Sequence, residues 1–478
     1  SLGWAPDRLP IQEQATIVVG NALTCDWEAI CPPTEDTIVA GNPPFLGHAT
    51  RNESQAQELR NAWGRDDISR LDYVTGWHAR ALKFFRNQQG RFAFVTTNSI
   101  TQGDPVPHLF GPIFDAGWKI AFAHRTFPWT SEAAGKAAVH CVIVGFVPKN
   151  TTVTPALFEH TAIGASRGTK VAQINAYLVE APNIFVTKRS SPLSVGLPEA
   201  TFGNMPRDDG NLIVTPDEYD LVAADPVASK YLRPFLGAEE VLHGKRRWCL
   251  WLTEMEPTDP KRSSLLADRI EAVRAFRSKS SAASTRQMAA TPHLFGQRPA
   301  LHRDPYLVIP RVSSELREFY PVLRVPGDVV ASDATFTASD PTGLLFALIS
   351  SSIFMSWQAT VGGRLESRLR FSNTIVWNNL PLPSLTPDIK ADIVRAGRVV
   401  ETVRADYPNK TLAQLYDADD MPRALRVAHR ELDKLVDRAF GIRDSDPAPA
   451  RRQKALFAAY QELTAPLLTS STKGRRRT

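Results

Sequence analysis

Apolar residues recur along the first 150 residues with two different spacings, and the two spacings alternate. Short runs of β-branched and aromatic residues, typical of buried strands, are separated by stretches whose apolar positions repeat every three or four residues, as in helices. The pattern predicts buried strands over residues 16–19 and 37–40, a helix over 71–88 and a further strand over 92–97. This alternation is typical of the strands and crossover helices of an α/β fold.

The next part of the pattern predicts a helix and a hairpin. A short helix over 108–114 ends at Gly117, and two β-rich runs, 120–127 and 138–146, are joined by the small, polar loop 130–136. We expect the two runs to form a β-hairpin at one edge of the sheet.

After residue 148 the alternation stops. The region to about Pro383 is rich in proline, arginine and short β-like runs, and helical periodicity returns over 389–404 and 422–440. We therefore predict an α/β domain over 1–150, a mixed α+β domain over 151–385, a helical domain over 386–445, and a short helix with a basic tail, expected to be disordered, over 446–478.

Charge is distributed unevenly along the 478 residues. Lys and Arg number 56 and Asp and Glu 50, a net of +6, and residues 451–478 alone carry seven basic residues and one acidic residue. A second concentration, nine basic residues against three acidic ones, lies between Arg269 and Arg317. We regard this arginine band, rather than the tail, as the candidate footprint of a polyanionic partner.

Cysteine usage excludes two classes of stabilised domain. The four cysteines, Cys25, Cys31, Cys141 and Cys249, form no C-x-x-C pair, which argues against a disulfide framework and a structural zinc site. Apolar runs are too short or too serine-rich to span a bilayer, and no signal peptide precedes the first domain. We expect a soluble cytoplasmic protein without a metal site.

The most specific short motif is Gly41-Asn42-Pro43-Pro44-Phe45, directly after the predicted strand 37–40. Ligands of α/β enzymes bind at the carboxyl ends of such strands. An exocyclic amine on a purine is a poor nucleophile because its lone pair is delocalised into the ring. The Asn42 side-chain carbonyl and the Pro43 backbone carbonyl can hold both amine hydrogens, while the prolines fix the backbone and Phe45 stacks on the base.

This motif resembles the fourth motif of amino-group methyltransferases that use S-adenosylmethionine. The chain as a whole resembles the MmeI-like (type IIL) adenine DNA methyltransferases. The matching segments are 17–23, 94–100, 124–129 with 138–140, 203–206, 310–315, 363–365 and 428–433. The resemblance implies an incomplete Rossmann-like class I methyltransferase sheet with a C-terminal β-hairpin, then a mixed target-recognition domain and a helical C-terminal region.

Further roles follow from the resemblance residue by residue. Asn42, Pro43, Pro44 and Phe45 would hold the target adenine, which must be flipped out of the duplex to be reached. Phe127, in a Phe-Pro turn at the start of the hairpin, would stack on the opposite face of the base, with Trp129 as the competing candidate. Asn21, with Ala22 and Leu23, matches the segment that contacts the cofactor's adenine.

The glycine-rich cofactor loop of this family is missing, because no Gly-x-Gly occurs among the 27 glycines. The family's N-terminal nuclease is missing too. We therefore expect a C-terminal portion of a longer enzyme that binds S-adenosylmethionine poorly by itself.

The segment 362–371 carries candidate base-reading side chains. If it is one strand, Arg364, Glu366, Arg368 and Arg370 project from the same face, where arginine can bind guanine and glutamate can accept from cytosine. A solvated, salt-bridged strand face is equally compatible with the pattern alone, and the resemblance favours base reading. Other cations, among them Arg274, Arg277 and Arg311, are candidate DNA contacts in the same domain.

Several alternatives remain. His429 and Asp433, four residues apart on a helix, fit a metal pair or an acid-base dyad, but a packed helix face is favoured. The chain as a whole fits an adenine DNA methyltransferase, with double-stranded DNA as partner, in a restriction-modification system. It also fits a non-catalytic DNA-specificity module whose cofactor loop is supplied elsewhere. A protein-glutamine methyltransferase shares the motif but needs no long arginine-rich domain.

Overall fold

The computed structural model describes residues 15–68, 70–129, 139–160, 165–445 and 447–473, with side chains through residue 465. These residues fall into two compact units. The first comprises Ser1–Thr101 and Pro105–Leu178, and the second comprises Gln102–Asp104 and Val179–Thr478.

A mixed six-stranded sheet forms the centre of the first unit. Its helices are α1 (Trp27–Ile30), α2 (Glu53–Trp63), α3 (Thr75–Phe84) and α4 (Pro105–Asp115), with a 3₁₀ turn at Asn98–Thr101. Its strands are β1 (Ile38–Gly41), β2 (Arg91–Thr97), β3 (Trp118–Trp129), β4 (Val139–Pro148), β5 (Ala156–His160) and β6 (Ser166–Lys170). The strand order is β1-β2-β4-β3-β5-β6.

The core of this unit lies where α3 and β2 meet. Alternate residues of β2 are buried, and Phe92, Phe94 and Phe146 surround the fully buried ring of His78 on α3. Gly117, at φ +85°, allows the chain to leave α4 and enter β3 directly. The predicted α/β class and the strand and helix positions around residues 75–115 are confirmed.

Three expectations for the sheet need correction. Residues 16–19 form no strand, and the side chains of Ile17, Val18 and Val19 are exposed, because no neighbouring backbone in the described residues pairs with them. Strand β1 forms as predicted, but it is an exposed edge rather than a buried strand.

The β3–β4 hairpin also forms, with Trp118–Trp129 antiparallel to Val139–Pro148. It lies in the middle of the sheet, since β5 pairs in parallel with β3 and β6 completes that edge. The prediction of an edge hairpin is therefore wrong. Its predicted loop, 130–136, lies outside the described residues.

The second unit is α+β, with small sheets followed by helices. Its strands are β7 (Thr201–Phe202), β8 (Ile213–Val214), β9 (Leu232–Leu236), β10 (Trp248–Leu250), β11 (Tyr306–Pro310), β12 (Val312–Ser313), β13 (Leu323–Val325), β14 (Val330–Ala331), β15 (Thr335–Ser339), β16 (Gly363–Leu365) and β17 (Arg368–Arg370). They form the sheets β14-β9-β10-β8, β13-β11-β15-β7 and β12-β17-β16.

Helices surround these sheets and dominate the end of the chain. They are α5 (Tyr219–Ala224), α6 (Ala238–His243), α7 (Asp259–Arg262), α8 (Ser264–Ser278), α9 (Ala283–Gln287), α10 (Leu344–Ile349), α11 (Ser352–Val361), α12 (Pro387–Ala405), α13 (Leu412–Leu415), α14 (Arg423–Ala439) and α15 (Pro449–Lys473). Short 3₁₀ turns lie at Pro216–Glu218, Ala228–Tyr231 and Met288–Ala290, and a π-helical turn lies at Asn373–Trp377.

Helices α12 and α14 confirm the two predicted C-terminal helices within two residues at each end. Part of the basic segment that the sequence predicts to be disordered is instead helical. Arg451, Arg452 and Lys454 lie in the first turns of α15, which extends to Lys473, and residues 474–478 lie outside the described range.

Candidate functional site

The motif Asn42-Pro43-Pro44-Phe45 follows strand β1 without an intervening residue, as predicted. Asn42 and Pro44 are exposed, Pro43 is buried and Phe45 is half-buried. The asparagine amide is therefore open to a ligand, while the buried proline ring anchors the backbone next to it. This arrangement places the candidate amine acceptors at the carboxyl end of a parallel strand pair, β1 and β2.

Leu46, the residue after the motif, is held at both of its backbone groups. Its N–H donates to Oδ1 of Asp72 at 3.1 Å, and its carbonyl oxygen accepts from the N–H of Tyr73 at 3.0 Å. The other carboxylate oxygen of Asp72 accepts from the hydroxyl of Thr97, the last residue of β2, at 3.2 Å. Sequence reasoning missed Asp72; the available signal was an acidic residue just before the start of an amphipathic helix.

Phe127 and Trp129 lie on β3 itself, near its end, rather than in a Phe-Pro turn. They project from the same face of the strand, with ring centroids 6.2 Å apart. Phe127 is half-buried, whereas Trp129 is 40% exposed.

The pairing of β3, β4 and β2 shows how far Phe127 lies from the residues that hold the Asn-Pro-Pro-Phe motif. Phe127 lies opposite Cys141 of β4, and Cys141 lies opposite Thr97 of β2. Directly opposite residues project from the same face, so Phe127 and Thr97 share a face and are two strand spacings apart, roughly 10 Å. Through Thr97 and Asp72 the structure brings the motif and the hairpin aromatics to one region of the sheet.

A histidine pair lies beside Phe127. Nδ1 of His124 and Nε2 of His160 are 3.0 Å apart, and the His160 ring lies 4.5 Å from that of Phe127. Burial and the neighbouring His160 ring lower the pKa of His124, which favours the neutral form of that imidazole. The sequence offered no signal for this pair, because the two histidines are on different strands.

Asn21, Ala22 and Leu23 form a tight turn rather than an open cradle. The side-chain oxygen of Asn21 accepts from the N–H of Leu23 at 2.9 Å, and the carbonyl oxygen of Ala22 accepts from Nε1 of Trp27 at 2.9 Å. Leu23 is buried against Gly76 of α3, where an added Cβ would lie 3.0 Å from a Leu23 methyl group. Only Asn21 of the three is exposed.

The segment 362–371 is a hairpin and not one strand. Leu365 lies opposite Arg368 and Arg364 lies opposite Leu369, with Glu366 in the turn at φ +59°. A two-residue turn reverses the chain, so Arg364 shares a face with buried Leu369, while Arg368 and Arg370 share the other face with exposed Leu365. The expectation that all four charged residues share one face is wrong.

The four charged residues of this hairpin also differ in environment. Nη1 of Arg364 donates to the carbonyl oxygen of Ser367 at 2.7 Å, and burial lowers the pKa of its guanidinium. Arg368 and Glu366 form an exposed ion pair at 2.9 Å, at the tip of the hairpin. The tip and Arg370 are therefore the accessible part of this element.

The other predicted DNA contacts separate into structural and accessible residues. Arg277 is fully buried and donates hydrogen bonds to the backbone carbonyl oxygens of Pro206, Arg207, Met288, Thr291 and Leu294. The structure thus corrects the expectation that Arg277 contacts DNA, because its guanidinium is occupied and shielded from solvent.

Arg274 and Arg311 are more accessible than Arg277. Arg274 is exposed beside Glu271 at 3.0 Å. The guanidinium of Arg311 lies 5.3 Å from the ring centroid of Phe202, where both residues line a cavity of about 740 Å³ together with Arg298.

His429 and Asp433 are structural residues, as favoured. His429 is buried between the hydroxyl of Tyr416, 2.7 Å from Nε2, and the carbonyl oxygen of Ser350, 2.9 Å from Nδ1. Asp433 accepts from the N–H and the hydroxyl of Ser352 at the start of α11. Both side chains join helices, and neither projects into an open site.

Among the described residues, no helix is both long and apolar enough to cross a bilayer. Likewise, no group of three or more metal-ligating side chains is found in that part of the chain.

Comparison with known proteins matches three successive parts of the chain to one family. The family model described as "MmeI, DNA-methyltransferase domain" matches residues 2–159, "MmeI, target recognition domain" matches 180–384, and "MmeI, C-terminal domain" matches 386–468.

Two longer proteins are similar to nearly all of the chain. DNA methyltransferase A of Bacillus subtilis (strain 168) is 34% identical over 461 residues, covering 95% of this chain and 51% of that protein. The type IIL restriction-modification enzyme MmeI, solved in complex with DNA, is 38% identical with a TM-score of 0.79, covering 96% of this chain and 61% of that one. The chain thus spans about half the length of the curated relative that it matches.

Proposed function

The chain belongs to the MmeI family, and from this premise we propose that it is the target-base and DNA-recognition part of a site-specific adenine DNA methyltransferase. In this proposal the six-stranded sheet is an incomplete Rossmann-like class I sheet. The observation that carries the proposal is the placement of Asn42-Pro43-Pro44-Phe45 at the carboxyl end of β1, with the next residue, Leu46, held in place.

The motif would act on the N6 amine of an adenine flipped out of the duplex. The side-chain oxygen of Asn42 and the carbonyl oxygen of Pro43 would each accept one amine hydrogen, which returns electron density to the nitrogen that must attack. Phe45 would stack on one face of the base and Phe127 on the other, with Trp129 as the alternative. In this reaction class S-adenosylmethionine supplies the methyl group.

The described residues by themselves do not fit that cofactor well. The residues that precede Asn21, Ile17 to Val19, are exposed and outside the sheet, so no strand holds the Asn21 segment beside a cofactor. We therefore assign the cofactor no place among these residues. This observation favours a second candidate function, a non-catalytic DNA-specificity module that works only with a partner protein supplying the cofactor loop.

Double-stranded DNA is the proposed partner of the second unit, in a restriction-modification system. Arg368, Glu366 and Arg370 are the proposed base contacts, because they are exposed at or beside a hairpin tip. Arg274 and Arg311 are proposed as further DNA contacts. The match over 180–384 supports this role and gives no support to a protein-glutamine methyltransferase, which needs no such domain.

A methyl-transfer assay tests both candidates. Tritiated S-adenosylmethionine and duplex DNA are incubated with the chain, alone and extended by an N-terminal segment that carries a Gly-x-Gly loop, and the nucleosides are then identified by mass spectrometry. N6-methyladenine from the extended protein, lost in Asn42→Ala, supports the methyltransferase. Sequence-specific DNA binding without methylation in either form supports the specificity module.

A further inference from the structure

Asp72 is the residue through which three parts of the first unit are joined. Its side chain is 8% exposed, and it has bonding partners in the loop after β1, at the end of β2 and at the start of α3. It belongs to none of these elements itself, since it lies in the connection that precedes α3.

The first connection is to the residue after the Asn-Pro-Pro-Phe motif. Oδ1 of Asp72 accepts from the N–H of Leu46, and the adjacent Tyr73 N–H donates to the carbonyl oxygen of Leu46. Two hydrogen bonds at one residue fix both its position and its orientation. The backbone that leads into Leu46 is that of Phe45, so this clamp restrains the position of the Phe45 backbone.

The second and third connections explain why Asp72 itself stays in place. Oδ1 also accepts from the N–H of Val74, the residue just before α3, at 3.2 Å, and Oδ2 accepts from the hydroxyl of Thr97. Thr97 in turn shares a hydrogen bond of 2.7 Å with the hydroxyl of Ser99. Thr97 also begins the row of opposite residues that leads through Cys141 to Phe127.

We propose that Asp72 is the positioning residue of the target-base site: it holds the Phe45 backbone at a fixed place relative to the strand row that carries Phe127. This inference rests on the proposed function. Asp72 does not touch the base in this scheme; it acts through Leu46 and Thr97. A flipped base needs two stacking surfaces at a fixed separation, and displacement of one by about 1 Å can cost roughly 100-fold in rate.

Asparagine is a conservative replacement for Asp72, because it can keep the same hydrogen bonds. In Asp72→Asn the remaining oxygen can still accept from Leu46 and Val74. The new amide group can donate to the Thr97 hydroxyl, whose own hydrogen can turn to Ser99. Every contact can therefore persist although the charge near Arg51 is lost. Asp72→Ala removes all three contacts and leaves the Leu46 N–H without its acceptor.

A matched control separates the effect of a weakened start of α3 from the effect of a released Leu46. The hydroxyl of Thr75 donates to the backbone carbonyl oxygen of Asp72 at 2.7 Å, in the same buried turn. Thr75→Val removes this bond and leaves the contacts of Leu46 unchanged, so it reports the effect of a weakened helix start.

The first test needs no DNA and no cofactor. Hydrogen exchange of the backbone amides is followed over the peptide that contains Leu46. We expect at least tenfold faster exchange in Asp72→Ala than in the parent chain, and exchange near the parent rate in Asp72→Asn and Thr75→Val. Unchanged exchange in Asp72→Ala overturns the clamp.

The second test measures whether the target base is unstacked from the duplex. The chain selects its site from a random duplex library, 2-aminopurine replaces each adenine of that site in turn, and fluorescence on binding reports an unstacked base. We expect Asp72→Ala to keep sequence-specific affinity and lose most of the fluorescence gain, and Asp72→Asn to restore it. If Asp72→Ala keeps the full fluorescence gain while Phe45→Ala loses it, the positioning role of Asp72 is overturned, and the proposed function still stands. Full gain in Asn42→Ala and Phe45→Ala overturns the proposed function as well.

Discussion

Arg452 and Asp437 form a buried ion pair that joins α15 to α14. Nη2 of Arg452 lies 2.8 Å from Oδ2 of Asp437 and Nε lies 2.9 Å from Oδ1, with residue exposures of 8% and 2%. Burial already raises the pKa of the neighbouring Asp433 to about 6. Nη2 of Arg452 also lies 3.8 Å from Oδ2 of Asp433, so loss of Arg452 would leave two buried carboxylates without their cation.

We predict that Arg452→Met lowers the free energy of unfolding of the chain by about 3–5 kcal/mol, because it leaves Asp437 buried without its partner. Urea unfolding measures the change. Arg451→Met is the matched control: Arg451 pairs with Asp444 at 3.5 Å on the surface, and its loss should cost no more than about 1 kcal/mol. Equal effects of the two substitutions would contradict the prediction.

Stability of the first unit should fall at acid pH through His78. Burial lowers the pKa of this imidazole to about 3, whereas the unfolded chain has a pKa near 6.5. The unfolded state therefore binds the proton more tightly between these values. Stability contributed by neutral His78 is full above about pH 6.5 and is lost as the pH falls towards 3.

The expected slope is about 1.4 kcal/mol per pH unit from this one group. His78→Phe, in a site already surrounded by Phe92, Phe94 and Phe146, should flatten the slope by up to that amount between pH 6 and pH 4. Denaturant unfolding at a series of pH values measures it. His48→Leu changes an exposed histidine and should keep the parent slope; an unchanged slope in His78→Phe refutes the assignment.

Arg277 should behave as a core residue. Arg277→Met removes five hydrogen bonds to carbonyl oxygens, and we expect it to cost more than about 3 kcal/mol in the free energy of unfolding. DNA affinity, measured per folded molecule by anisotropy, should stay within about twofold of the parent. Reduced affinity of a fully folded variant would return Arg277 to the DNA interface.

The hairpin tip should determine sequence preference. Arg368→Ala should relax the preference at one base position, with a loss of about 1–3 kcal/mol on the preferred sequence. Lys279→Ala, an exposed cation of the arginine band, should weaken binding to all sequences alike and reduce the salt slope by about one. Competition binding over a randomised duplex distinguishes these effects, and a uniform loss in Arg368→Ala identifies a phosphate contact instead.

Cofactor binding should be weak in this chain alone. The residues before Asn21 are exposed and form no strand that would hold this segment beside a cofactor. We expect calorimetric titration with S-adenosylmethionine to show no saturable heat at micromolar concentration, and the extended protein with a Gly-x-Gly loop to show it. Micromolar binding by the chain alone would contradict this prediction.

The spacing of apolar residues was sufficient to predict those helices and strands in which the spacing itself marks the buried face. The alternation of β2 and the helical spacing of α3, α12 and α14 each report one buried face, and those elements form close to their predicted positions. The motif after β1 is equally local, since adjacent residues carry its chemistry. Residues 16–19 show the limit: a strand needs a paired neighbour, and apolar composition does not supply one.

The family, the α/β class of the first unit, the position of the Asn-Pro-Pro-Phe motif and the helical end of the chain all follow from the order of the residues. Which charges are accessible depends on three-dimensional packing. Alternating arginines predict one face of a strand, but the two-residue turn at Glu366 places Arg364 against the core and Arg368 at a tip. Net charge likewise cannot reveal that Arg277 is surrounded by carbonyl groups or that Asp72 holds Leu46. These contacts join residues far apart in the chain, and their energies depend on three-dimensional neighbours that spacing does not encode.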